Sequence, residues 1–146
     1  MKLKIAFSAL VLGTAMPAIA QDGTGEAEAG QAFFQQKMCT TCHIVTTNDG
    51  TRMGSPSPIN IDLSGVVGSE AASAEGPSSS RYSAAMKTAK EKGLVWTEEN
   101  LIAFITSPQV FLSEYNGSSA VSSMPLGTND AEASEDIVAF LASLSE

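Results

Sequence analysis

Cys39-Thr40-Thr41-Cys42-His43 is the stretch on which the reading of this chain turns. Two thiols three residues apart, with a histidine directly behind the second, form C-x-x-C-H, the attachment signature of c-type haem. The spacing has a mechanical reason. Thiols on one irregular helical turn can each add to one of the two vinyl groups of a porphyrin, and the next side chain is then aimed at the iron from the same side.

Other uses of these residues are poorly served by the rest of the chain. A dithiol of the thioredoxin kind wants a neighbouring βαβ pattern, which is missing. A zinc site wants a fourth ligand, and the sequence holds only two cysteines and one histidine. With 8 basic and 16 acidic side chains the net charge is −8, which excludes a nucleic-acid binder that would need basic stripes. At 146 residues, with 43% hydrophobic and 16% charged residues, the chain has the size and composition of one globular domain.

Upstream of the motif, Lys2 and Lys4 precede an apolar run from Ile5 to about Ala15, and Ala18-Ile19-Ala20 supplies the small residues of a signal-peptidase site. Residues 1–20 are therefore expected to be a cleaved secretory signal peptide, and residues 21–146 the exported domain. The run is short for a membrane span, so stable membrane insertion is not expected. Loss of Lys2 and Lys4 leaves the mature chain more acidic still.

Around the motif the pattern predicts short helices and one long loop. A helix is expected from about Glu26 to Met38, with Thr24 as N-cap. From His43 to Ser80, Gly, Ser, Pro, Asn and Thr dominate, which predicts a long loop wrapped around a large non-protein group. Ser83 to Lys92 reads as a helix stopped by Gly93. Thr97-Glu98-Glu99 opens another, carrying Leu101, Ile102, Phe104 and Ile105. Pro108 ends it or begins a short turn bearing Phe111. A last helix is expected after Asn129, with Glu132 completing a capping box and Ala133, Ile137, Phe140, Leu141 and Leu144 on one face. The fold class is all-α, and so few large aliphatic residues call for a buried cofactor to complete the core.

A single histidine rules out bis-His ligation of the iron. Among Met38, Met53, Met86 and Met124, the first two lie close to the Cys39–His43 segment in sequence, and Met86 falls within a helix pattern. Met124 stands in a Ser/Gly/Pro-rich loop before the last helix, where a flexible segment can return to the open face of a haem. His43 and Met124 are the expected axial ligands. A neutral, soft thioether favours ferrous iron, and a doubly ligated iron suits electron transfer rather than chemistry on a substrate.

The chain resembles a class I c-type cytochrome, most nearly the bacterial cytochrome c2 group. Gly30 with Phe34 ahead of C-x-x-C-H, and Phe140 in the last helix, match the family's crossing of terminal helices. Gly65-Val66-Val67-Gly68, Tyr82, Lys92-Gly93-Leu94-Val95-Trp96, Glu98-Glu99, Pro108, Phe111-Leu112, Glu114-Tyr115 and Met124 follow in the group's order. The resemblance implies the class I cytochrome c fold, short helices and long loops wrapped around one haem c bound through Cys39 and Cys42. It further implies that Tyr82 and Trp96 donate to a haem propionate, and that Ser122 supplies a hydroxyl near it. Pro58, or Pro56 in its place, would offer the carbonyl that accepts from His43 Nδ1.

By the same resemblance the protein would be a monomeric, soluble periplasmic electron carrier and not an enzyme. Its partners would be membrane or periplasmic redox proteins, such as a cytochrome bc1-type complex, a terminal oxidase or a photosynthetic reaction centre. An electron-accepting subunit of a periplasmic dehydrogenase is the alternative, and an open-site haem enzyme or gas sensor a second. This chain departs from the group at Phe104, where Tyr is common, at Ser69-Glu70, where an Arg is frequent, and at Ser123, where many relatives carry Lys. Relatives dock through a ring of lysines. Here, past residue 20, only Lys37, Lys87, Lys90, Lys92, Arg52 and Arg81 are basic.

Overall fold

A computed structural model describes residues 25–144, so the expected signal peptide and Thr24 lie outside the described residues. Among the described residues five α-helices carry the fold: α1 Ala27–Gln36, α2 Ala84–Glu91, α3 Glu98–Thr106, α4 Pro108–Asn116 and α5 Ala131–Ser143. Two 3-10 segments, Cys39–Thr41 and Gly76–Arg81, and three short strands, β1 His43–Thr46, β2 Arg52–Met53 and β3 Ile61–Asp62, fill the region between α1 and α2.

The helix ends follow local chemistry. Ser83, Thr97 and Asp130 are the N-caps of α2, α3 and α5, their side-chain oxygens accepting from the backbone N–H of Met86, Asn100 and Ala133. The N-cap expected at Asn129 is therefore displaced by one residue. Asn129 takes a left-handed φ of 52°, and Asp130 makes the cap, so Glu132 sits in the first turn without closing a box. At α1 the N-cap is Glu26. No side chain caps it locally, and its backbone N–H donates to Asp136 Oδ1 on α5 at 2.7 Å. Pro108 is the first residue of α4, which runs nine residues, well beyond a single turn.

The His43–Ser80 region is more ordered than its composition predicts. β1 is the central strand of a sheet in the order β2-β1-β3, antiparallel to β2 and parallel to β3, with His43 opposite Ile61 and Val45 opposite Met53. Two adjacent β-branched residues, Ile44 and Val45, are buried there. They favour extended backbone once a neighbour covers them. With four- and two-residue strands the helices still define the architecture.

The core forms where α1 crosses α5. A Cβ on Gly30 would run into the Asp136 carbonyl and stand 2.9 Å from the Phe140 Cβ, so only glycine lets the helices approach this closely. Phe34 and Phe140 meet beside it with ring centroids 5.8 Å apart, and both are almost fully buried. Trp96, Phe104, Phe111 and Tyr115 form a second aromatic series joining α3 to α4.

Candidate haem site

The interior does not close on itself. Phe34 of α1, Leu101, Phe104 and Ile105 of α3, and Ile137 and Leu141 of α5 line a cavity of about 410 Å³. These core side chains give the cavity a largely apolar lining of the kind that suits a large apolar group. The shortage of core-forming residues in the sequence thus has a structural counterpart.

Cys39, Cys42 and His43 reach this cavity together. α1 stops at Gln36, Met38 turns the chain with a left-handed φ of 59°, and a 3-10 turn begins at Cys39. Side chains at i and i+3 eclipse in a 3-10 turn, which brings Cys39 and Cys42 to one face. The Cys42 N–H donates to the Cys39 carbonyl at 3.2 Å, and both thiols are free. Burial pushes the Cys39 thiol up, with the backbone and the charge of Lys37 opposing it.

His43 opens β1, immediately past the turn. Burial lowers its pKa, the Ile61 backbone opposes this, and the charge of Arg81 adds to it. The imidazole is thereby held neutral, the form a metal requires. Its Nδ1 is enclosed and makes no hydrogen bond.

The expectation for Pro58 and Pro56 is not met. Both are exposed, neither lines the cavity, and neither carbonyl receives His43 Nδ1. The parallel pairing of β1 with β3 instead places Ile61 beside His43. The Ile61 backbone influences the ring without the geometry of a hydrogen bond.

The loop between α4 and α5 brings in Ser122 and Met124. It is fastened to the end of α3, where Thr128 N–H and Asn129 N–H donate to the carbonyls of Ile105 and Thr106 at 2.9 and 3.1 Å. Gly127 permits this contact, because a Cβ there would strike the Thr106 carbonyl. Ser122 Oγ accepts from Met124 N–H at 3.1 Å, which fixes the local turn. Met124 is half-buried against the core. Met38 and Met86 also reach the cavity, whereas Met53 does not and accepts a weak bond from Gln31 Nε2.

Tyr82 and Trp96 line the cavity as well, Tyr82 accepting the Ala74 N–H at 3.1 Å and Trp96 buried beside Phe104. Ile61 and Arg81 line the cavity too, Ile61 from the stretch whose composition predicts loop and Arg81 from the position before Tyr82.

These residues fit a haem c. The wall is largely apolar, two free thiols stand on one turn, and a neutral imidazole follows them. Among the described residues no cluster of three or more His, Cys, Asp or Glu could hold a metal ion. No described helix is long and apolar enough to cross a membrane.

No protein-family model matches the chain. Individual relatives do. Cytochrome c-550 of Paracoccus versutus is 37% identical over 147 residues, covering 97% of this chain and 88% of its own length. Cytochrome c2 of Rhodovulum adriaticum is 38% identical over 125 residues, covering 84% and 95%. The X-ray structure of ferric cytochrome c-550 from Paracoccus versutus superposes with a TM-score of 0.69 at 35% identity, covering 84% of this chain and 99% of that one. Cytochrome c2 from Rhodobacter sphaeroides gives 0.68 at 33% identity, covering 81% and 94%.

Proposed function

This chain belongs to the cytochrome c2 and c-550 family of class I c-type cytochromes, and we propose that it carries single electrons in the periplasm with His43 and Met124 as axial ligands. It is an electron carrier and not an enzyme. The observation that carries the ligand assignment is the convergence of Cys39, Cys42, His43 and Met124 on one apolar cavity.

Haem c supplies a reversible Fe2+/Fe3+ couple there. The chain does the rest. Cys39 and Cys42 hold the group covalently, and His43 offers a neutral nitrogen. Met124 offers a soft sulfur that favours the reduced state. Met86 is fixed in α2 and almost fully buried, and Met38 adjoins Cys39, so Met124 on its fastened loop is the better ligand. Phe34, Leu101, Ile137 and Leu141 exclude water, which keeps reorganisation on electron transfer small. Tyr82, Trp96 and Ser122 are the polar groups proposed for the propionates.

Residues 1–20 are proposed to direct export and to be removed, leaving residues 21–146 as a soluble monomer. Donor and acceptor would be complexes of the bc1, oxidase or reaction-centre kind. The cationic side chains on the cavity wall are Lys37 and Arg81, and the acidic Asp62 also lines it. That small a positive charge does not make a broad basic docking ring, so docking should depend on salt less steeply than a ring of lysines would make it.

Absorption spectra of the exported protein and of Met124→Ala test the ligand assignment. The wild type should be low-spin, show the weak long-wavelength ferric iron–sulfur band, and refuse carbon monoxide when reduced. Met124→Ala should lose the band and bind carbon monoxide. An unchanged mutant, or a high-spin wild type, would reject Met124 and point to an open site.

A further inference from the structure

Arg81 is the part of the cavity wall that covalent attachment and axial ligation leave without a task. It closes the 3-10 segment Gly76–Arg81, directly before Tyr82, and its side chain lines the cavity. The guanidinium Nη2 lies 3.9 Å from Cys42 Sγ, the sulfur of the second attachment point. Among the described residues Arg81 forms no ion pair, although acidic side chains outnumber basic ones two to one in the whole chain. Arg81 is exposed at the rim of this wall, and its contact with Cys42 Sγ sets the guanidinium beside an attachment point.

Haem brings two carboxylates, and its iron centre loses one unit of positive charge when it takes one electron from a reduced partner. No bond or proton need change in that step. A fixed cation near the centre therefore favours the reduced form, and an acidic chain favours the oxidised one. We propose that Arg81 is the fixed positive charge at the haem edge beside Cys42, offsetting the chain's negative field and holding the reduction potential up. The inference rests on haem c filling this cavity.

The test is a spectroelectrochemical titration of the haem-loaded protein and its Arg81→Lys, Arg81→Gln and Arg52→Gln variants. Arg52 lies on β2 away from the cavity, so its variant measures the effect of net charge alone. Arg81→Gln should lower the equilibrium constant for reduction about threefold to tenfold, roughly 30–60 mV at 59 mV per tenfold for one electron. Arg81→Lys should restore most of that, and Arg52→Gln should move it far less. Equal shifts in Arg81→Lys and Arg81→Gln, or a shift in Arg81→Gln no larger than in Arg52→Gln, would overturn the proposal while low-spin haem spectra left the electron-carrier reading intact. A protein that holds no haem would overturn both.

Discussion

Gly30 on α1 and Phe140 on α5 are in such close approach that a Cβ on the glycine would lie 2.9 Å from the Cβ of the phenylalanine and inside the contact distance of the Asp136 carbonyl. This crossing places α1, and with it the turn that carries Cys39 and Cys42, against the helix whose Ile137 and Leu141 line the cavity. Gly30→Ala should therefore force the helices apart. The expected loss is at least about 2 kcal/mol, read as a lower urea midpoint with an unchanged slope. A stability equal to wild type would mean that the helices can separate at no cost.

Ser134 of α5 is fully buried, and its hydroxyl ties three segments together. It donates to the Asp130 carbonyl at 2.9 Å, receives Thr106 Oγ1 from α3 at 2.8 Å, and meets Thr128 Oγ1 at 2.6 Å. Ser134→Ala removes these three bonds, while Thr106 Oγ1 keeps the Ile102 carbonyl and Thr128 Oγ1 keeps the Asp130 backbone, so the cost should be about 1 kcal/mol. The loss should show in chemical denaturation. Because Thr128 fastens the loop that carries Met124, the ferric iron–sulfur band should also weaken at a lower temperature than in wild type.

Burial pushes the Tyr82 phenol above its ordinary value of 10.0. The neutral form is thus favoured in the folded protein, and the unfolded chain ionises first as pH rises. The stability contributed by Tyr82 is complete below pH 10.0 and is lost as pH climbs through the higher folded value. Tyr82→Phe should flatten this alkaline decline, at the expense of the hydrogen bond from Ala74 N–H. Denaturation midpoints measured on both proteins at pH 8 and above pH 10 check the sign.

The thiols give a covalent test. Intact mass of the denatured exported protein should show the chain beginning at Gln21 plus one haem. Cys39→Ser and Cys42→Ser should each retain haem through one bond, and the double substitution should release it on denaturation. Haem held just as firmly in the double variant would refute attachment through these sulfurs.

Much of the site was legible because its chemistry is local. C-x-x-C-H carries its own spacing, and a 3-10 turn converts that spacing into two thiols on one face. Ser83, Thr97 and the periodic apolar positions of α3 and α5 mark their helices for the same reason, since caps and faces depend on neighbours three or four residues away. The strands were not legible. β1 pairs with β3 across a segment of Ser, Pro and Asn, and nothing local announces that Ile61 will lie beside His43.

Local sequence thus carries the attachment turn, the histidine that follows it, the helix start at Thr97 and the need for a group to complete the core. Tertiary contacts place Ile61, not Pro58, beside His43 and bring Arg81 to the cavity next to Cys42. They also bring Met124 to that cavity on a loop fastened to α3. The physical reason is range. Backbone hydrogen bonding within a turn acts over a few residues, whereas strand register and loop anchoring are set by contacts between segments that meet only when the chain has folded.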